Sequence, residues 1–436
     1  MATDAPATVT TPLPRIVVLG AGFGGLTFCQ KFPDGVAHIT IIDRQNHHLF
    51  QPLLYQVASA GLSAVDIAQP VRAILAGKPN LDVLMAEVTG VDLVSRRVVH
   101  EFGELAYDYL VLALGGVTSY FGHPEWEQRA PGLKSLDDAL RIRRKILCAF
   151  ERAETETDPV RQRELMNIVV VGGGPTGVEL AGAFAELART VLRRDFQHID
   201  PAKAHILLIE GGPRVLAAFP PELSASAQRQ LEHLGVEVRT GLKVEDIRDG
   251  EIIAGGKSIR AASIIWGAGV GGNPLAKKLG FELDRAGRVK VWPDLSLPGH
   301  PEVFVIGDMA TVVDKNGVTV PGVSPAAMQM GAYVAKIIVA EQRPGQAEVA
   351  QRPAFAYWDK GTMATIGRSA AVAQIGRLKF SGWPAWVAWL GVHLIFLVSF
   401  RSKLSVLMSW TYSYFTYKRG ARVITGTGGT PPAGSA

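Results

Sequence analysis

Short, nearly unbroken apolar runs recur along the chain, at Arg15–Leu19, His38–Asp43, Tyr109–Leu114, Ile168–Val171, His205–Glu210, Ser263–Trp266 and Val303–Ile306. Each is of strand length, and most end on glycine or a single acid, which predicts the strands of an α/β fold. Two runs lead into a glycine-rich turn and then a helical pattern. Ile16-Val-Val-Leu-Gly20-Ala-Gly22-Phe-Gly24-Gly25 and, 152 residues later, Ile168-Val-Val-Val-Gly172-Gly173-Gly174-Pro-Thr-Gly177 both satisfy G-x-G-x-x-G. Such a loop sets a pyrophosphate on a helix N-terminus. One loop is a weak signal among 47 glycines. Two, each with its own strand, imply two dinucleotides on one polypeptide, an arrangement suited to electron transfer between a nicotinamide and a flavin.

The third strand of each unit also exits on glycine, at Gly115-Gly116 and at Gly267-Ala-Gly269. The repetition argues for internal duplication. Asp43 lies 18 residues beyond Gly25, near the spacing for an acid that binds a ribose hydroxyl. Its counterpart Glu210 lies 33 residues beyond Gly177, and the surplus is assigned to an extended helix over 183–199. Residues 134–165 read as a helical connector. The run ending in Gly307-Asp308 reads as a return to the first sheet, so the second unit is inserted into a discontinuous first one.

The last hundred residues follow other patterns. Trp383, Trp386 and Trp389 recur every three residues in an uncharged stretch from Trp383 to Phe400, with His393 and Phe400 continuing that face. Ser402, Ser405, Ser409, Ser413 and Thr416 mark one side of a following helix whose remainder is aliphatic and aromatic. That is the pattern of a helix lying in the headgroup plane of a membrane. A core or dimer interface and a true span over 383–400 are the alternatives. Charge favours lipid: after Asp359 there is no acid but nine Lys and Arg, and removing these from 45 leaves 36 basic against 40 acidic residues elsewhere. Anionic lipid attracts such a surface by about 1 kcal/mol per nearby cation. Cys29 and Cys148 are the only cysteines, which excludes a disulfide framework, a zinc site and a dithiol pair. Met1 to Pro14 lacks the charged and apolar regions of a secretory signal, so the expected location is cytoplasmic or facing the cytoplasm. Nothing points to nucleic acid or to a metal.

Several stretches are more selective than the glycine loops: His48-Leu-Phe-Gln-Pro-Leu-Leu-Tyr55, Gly172-Gly-Gly-Pro-Thr-Gly-Val-Glu179-Leu-Ala-Gly182, Val305-Ile-Gly-Asp308-Met-Ala and Tyr357-Trp-Asp-Lys360-Gly-Thr-Met-Ala-Thr-Ile-Gly367. With the tryptophan-rich tail, they resemble the type II, non-proton-pumping NADH:quinone oxidoreductases of the two-dinucleotide flavoprotein superfamily, from about Arg15 to Ile424. The resemblance implies two Rossmann-like domains of disulfide-reductase type plus C-terminal amphipathic membrane-anchoring helices. It places an FAD-binding domain at 13–130 and 294–350, an inserted NADH-binding domain at 131–293, a membrane-associating region at 351–425 and a disordered tail at 426–436. FAD contacts are then expected at Gly20, Gly22, Phe23, Gly24, Gly25, Asp43, Arg44, His48, Val88, Asp308, Ala327, Met328 and Lys360. NADH contacts are expected at Gly172, Gly174, Pro175, Thr176, Gly177, Glu210 and Gly269. The resemblance further implies that hydride passes from NADH to the flavin and that two electrons follow to a membrane quinone, ubiquinone or menaquinone. The expected setting is the cytoplasmic face of the inner (cell) membrane, with the protein a monotopic homodimer on an anionic lipid surface.

Three residues are expected at the chemistry. Glu179 matches an acid near the nicotinamide and quinone; alternatively it is a helix-start acid stabilised by the dipole. Lys360 would set positive charge beside the flavin, or belongs to the cationic tail. Gln329 matches a glutamine at the quinone end of the flavin pocket. Many relatives carry Ala-Gln ahead of that element, where this chain has Ser324-Pro325, so any hydrogen bond from the earlier glutamine is absent or comes from elsewhere. Glu210 would repel a 2′-phosphate, or is a strand-end surface acid, while Arg214 keeps NADPH tolerance open. His48 contacts the flavin or caps a loop. The rival readings are a sulfide:quinone reductase, which needs a cysteine pair; a soluble ferredoxin or thioredoxin reductase, which lacks the tail; and a membrane-tethered NAD sensor without flavin turnover.

Overall fold

The computed structural model describes residues 13–342, 352–416 and 421–424; the tail expected at 426–436 lies outside them. The chain forms two compact units. The first comprises Met1–His48, Pro70–Val117 and Gly271–Asp359. Its sheet runs in the order Ser296–Leu297, His300–Val305, Tyr109–Leu112, Arg15–Leu19, His38–Asp43, Leu81–Met85. Every neighbouring pair is parallel except the first. Ile16, Val18, Ile39, Ile41, Val111 and Phe304 enter one core, and Val17, Leu19, Ile42, Leu110, Leu112 and Val303 the other. Both faces of the sheet are dry, which is why its strands read as continuous apolar runs. The strand His300–Val305 pairs with Tyr109–Leu112 and so delivers Asp308 to the carboxyl end of this sheet, where ligands of such folds bind. Helix Phe23–Lys31 packs on helix Ser324–Glu341 so closely that a Cβ on Gly331 would stand 2.2 Å from the Gly24 carbonyl oxygen.

The second unit comprises Leu49–Gln69, Thr118–Val270 and Lys360–Ala436. Four parallel strands, ordered Val236–Arg239, Ile206–Ile209, Ile168–Val171, Ser263–Trp266, repeat the plan. The connector is two helices, Leu136–Thr155, opened by a Ser135/Asp138 capping box, and Pro159–Met166, capped by Asp158. The extended helix expected over 183–199 is shorter and less regular. Helix Pro175–Glu186 passes into a π turn at Leu187–Val191 and a 3-10 turn at Leu192–Arg194. The rest of the insertion is a loop held by Glu154, whose carboxylate accepts the backbone N–H groups of Gln197, His198 and Ile199.

Residues 360–416 fold onto this second unit. Strands Thr362–Gly367, Ala370–Ile375 and Leu378–Ser381 form an antiparallel sheet. It lies directly on helix Pro175–Glu186: a Cβ on Gly182 would sit 1.6 Å from the Ile366 carbonyl oxygen. Helix Trp383–Phe396 follows. Its 14 residues extend about 21 Å at 1.5 Å per residue, short of the roughly 30 Å hydrocarbon core. No helix among the described residues is long and apolar enough to cross a membrane. The helix ends before Phe400, which opens the next helix, Phe400–Thr416, and does not continue the tryptophan face. Nor do the tryptophans share one environment, since Trp389 is 1% exposed and Trp383 58%.

The serine stripe, expected as the polar side of a helix on lipid, points into the protein. Ser402 is buried and accepts a hydrogen bond from Gln69 (2.7 Å), and Ser405 donates to Asp66 (2.6 Å). Phe400, Leu404, Leu407, Met408, Tyr412 and Phe415 face outward instead. The cationic tail is also partly spoken for, because Lys379 pairs with Glu222 and Arg422 with Asp195.

Candidate functional site

The two glycine loops have nearly the same construction. Gly20 and Gly172 take φ of +101° and +106°, open to glycine at little cost. A Cβ on Gly25 would stand 2.0 Å from the Gly20 oxygen, and one on Gly177 1.8 Å from the Gly172 oxygen. The amide of Ala21 donates to Asp43 Oδ2 (2.7 Å), and the equivalent amide of Gly173 to Glu210 Oε2 (2.5 Å). The other carboxylate oxygen of each acid accepts from Gln45 (2.8 Å) and Gly212 (2.5 Å). Asp43 and Glu210 therefore shape their loops from within, and each oxygen keeps a second lone pair for a ribose hydroxyl.

Both loops end at a helix N-terminus whose cap, Gly22 or Gly174, supplies no side-chain hydrogen bond. Uncapped first-turn N–H groups are anion sites. Space for the anion is present, since a Cβ on Gly22 or Gly174 would meet nothing within 4 Å. In the first unit His48 adds a second sign of fit for a dinucleotide. Its Nδ1 bonds the Ala21 carbonyl (2.9 Å), so it caps the loop, and its ring meets Phe23 edge-on at 5.0 Å. Its buried Nε2 has no hydrogen-bond partner among the described residues. Burial pushes the imidazole pKa down, against the Ala21 bond, so Nε2 is an acceptor waiting for a donor. A Cβ on Gly24 would press on Ile306 at 3.0 Å; of the other residues expected at the FAD, Ala327 is buried, Met328, Val88 and Asp308 are half-buried and Arg44 is exposed. In the second unit Pro175 and Thr176 form the first helical turn, and Gly269 (φ +76°) leaves no room for a side chain against Phe121.

Arg214, read as leaving room for a 2′-phosphate, is committed to main chain: it donates to the carbonyls of Phe219 (2.7 Å) and Ala217 (2.8 Å). Gln329 is likewise engaged, donating to the Trp358 carbonyl (3.0 Å) and accepting from the Trp358 amide (2.9 Å). It clasps the segment leading to residue 360. Pro325 occupies the first turn of helix Ser324–Glu341, where no amide is needed. Lys360 is exposed, its Nζ 5.3 Å from the centre of the Phe396 ring. Cys29 is wholly buried, its thiol pushed up to about 12, as expected of a structural residue.

The second unit also contains an apolar cavity of about 630 Å³, with Tyr55, Gln56, Glu179, Thr365, Trp389 and Trp410 in its wall. Glu179 is the fifth residue of its helix, past the first turn, and the dipole reading fails there. Burial of the carboxyl pushes its pKa up to about 8, although a bond from the Thr365 backbone pulls the other way. Glu179 therefore holds its proton at neutral pH. Tyr55, overlooked as a site residue, closes a motif whose selectivity was already visible, and Gln56 follows it directly. Trp389 had only its aromatic spacing to announce it, and Trp410 only its place on an aliphatic and aromatic helix.

Two cradles of this kind in one chain define a two-dinucleotide oxidoreductase fold. Residues 14–353 match the pyridine nucleotide-disulphide oxidoreductase family, and residues 359–418 match the NDH2 C-terminal domain. The chain is 45% identical to the type II NADH:quinone oxidoreductase Ndh of Mycobacterium tuberculosis, over 94% of this chain and 90% of that one. It is 30% identical to a probable NADH dehydrogenase of Dictyostelium discoideum, over 91% and 88%. NDH2 of Plasmodium falciparum, solved with NADH, superposes with a TM-score of 0.85 over 95% of this chain and 100% of that one, at 21% identity, a likeness of fold alone. The chain belongs to the type II NADH:quinone oxidoreductase family.

Proposed function

We propose that the protein oxidises NADH through a bound FAD and reduces a membrane quinone, without coupling the reaction to proton pumping. The first cradle holds FAD and the second NADH, the assignment carried by two glycine loops built to one pattern with open, uncapped helix N-termini. Bound flavin supplies the chemistry of accepting a hydride from the nicotinamide and releasing electrons to the quinone. The protein's residues do the rest. Glu210 accepts the NADH ribose hydroxyls and repels a 2′-phosphate. Its selectivity is not offset by Arg214, which is tied to carbonyls. The cavity takes the quinone head, its aromatic wall suiting an apolar ring. Glu179, protonated at neutral pH, gives a proton to a quinone oxygen.

The outward row from Phe400 to Phe415 rests on lipid, making the protein peripheral and monotopic. The cytoplasmic face and a homodimer follow from the family resemblance. The test is direct. The purified protein should be yellow, bleach when NADH is added without oxygen and regain its colour on adding a soluble quinone. Colourless protein, or bleached protein that no quinone restores, refutes the proposal.

A further inference from the structure

Phe121 is held in a backbone conformation that its own packing does not justify. Its φ of +50° lies in the left-handed region, which a bulky aromatic residue enters only at a cost. Burial does not offset that cost, since the residue is 68% exposed. Strain of this kind collects at functional sites, where the surrounding structure fixes it. Here a buried aromatic layer does the fixing. Trp266 Nε1 donates to the Ser119 carbonyl (2.9 Å), and the Tyr120 hydroxyl donates to the Ala130 carbonyl (3.0 Å). The rings of Tyr120 and Trp126 each lie 5.5 Å from that of Trp266. The Phe121 ring stands on this layer, 6.2 Å from Trp266 at an angle of 61°. It also fills the space left by the missing side chain of Gly269, where a Cβ would come within 2.7 Å of it.

Strand Ile168–Val171, which leads into the glycine loop, has Ile206–Ile209 on one side and Ser263–Trp266 on the other. A dinucleotide crosses such a sheet where the strand order reverses, along the carboxyl ends of the strands. With the adenine ribose on Glu210, at the end of Ile206–Ile209, the nicotinamide half extends over Ser263–Trp266 and its exit, Gly267-Ala-Gly269. Phe121 presents its ring at that exit. We propose that Phe121 grips the nicotinamide half of NADH, its ring lying against the nicotinamide riboside beside Gly269, and that the strained backbone turns the ring out to meet it. The inference rests on the reading of the second cradle as the NADH site and adds a residue outside both glycine loops. A ring fixed before the ligand arrives loses little freedom on binding, and its contact with a flat heterocycle adds to the apolar area covered. NADH and NADPH share this half, so Phe121 strengthens both alike, unlike Glu210.

The test uses the yellow flavoprotein without oxygen and the variants F121G, F121N and F121Y. Glycine and asparagine accept the left-handed conformation and remove the ring, whereas tyrosine keeps it. F121G and F121N are expected to raise the NADH concentration for half-maximal bleaching about tenfold, with the preference for NADH over NADPH unchanged. F121Y should recover most of that loss. ADP-ribose lacks the nicotinamide and should compete with NADH as tightly in F121G as in the parent. The denaturant midpoint of F121G should match that of the parent, because an exposed ring holds little of the fold together. Bleaching of the parent type in both F121G and F121N, an equal loss of affinity for ADP-ribose, or a loss that tracks a lowered denaturant midpoint would each overturn the proposal. F121N decides the matter should F121G fold poorly. Parent protein that NADH does not bleach, or on which ADP-ribose does not compete with NADH, refutes the reading of the second cradle itself.

Discussion

Replacing Glu179 by glutamine keeps the shape of the side chain and its bond from the Thr365 backbone while removing the ionisable group. The acid titrates near 4.5 in an open chain and near 8 in the folded protein. Each pH unit between those values is worth about 1.4 kcal/mol. Keeping the ionised carboxylate in the fold thus costs on the order of 5 kcal/mol, and about half that once solvent reaching one side of the residue is allowed for. The sign follows from where the proton leaves first. Below about pH 4 both folded and unfolded chains are neutral at this position, and the substitution has little effect. As pH rises the unfolded chain ionises first, so the parent protein loses stability progressively, and the loss levels off above about pH 8. E179Q escapes it. Denaturant midpoints measured from pH 5 to 9 should diverge, with E179Q more stable by about 2–5 kcal/mol at the alkaline end. Quinone turnover by the parent should fall as pH passes 8, a step that E179Q, slower throughout, should not show. A stability difference that stays constant with pH would refute the reasoning, since it would mean that the carboxyl titrates as an ordinary exposed acid.

Three further outcomes are expected. Gly25→Ala and Gly177→Ala each force a methyl against a carbonyl oxygen in one loop; the first should yield protein with little flavin, the second protein that is yellow but bleaches only at high NADH, both read from absorption spectra. Glu210→Ala removes the acceptor for the Gly173 and Gly212 amides and should raise KM for NADH at least tenfold, about 1.4 kcal/mol, and more than for NADPH; equal losses would dismiss Glu210 as a selector. Replacing Phe400, Leu404 and Met408 together by serine removes exposed apolar surface worth roughly 3–5 kcal/mol of lipid transfer, so vesicle binding measured by flotation should collapse while turnover with a soluble quinone persists.

Much of the fold was legible because its determinants are local. A strand buried on both faces must be apolar at every position, and a loop that approaches its own helix backbone must be glycine, so both features stand in consecutive residues. The return of the chain at His300–Val305 was legible for the same reason. The spacing of Glu210 was harder to interpret, because the surplus residues form a π turn and a loop clasped by Glu154, 43 to 45 residues distant.

Tail and cavity lay beyond such reasoning. Helical periodicity shows that residues 402, 405, 409 and 413 share a side, but an amphipathic helix carries no label saying which side meets water; the donor group of Gln69 and the acceptor group of Asp66 turned the serines inward and left the apolar row outside. The proton on Glu179 is likewise a property of its surroundings, because desolvation by strand Thr362–Gly367 and its neighbours, nearly two hundred residues along, outweighs any effect of its own helix. Conformation and periodicity act between neighbours in the chain and can be read there. Burial, and the titration and hydrogen bonding that depend on it, act between neighbours in space.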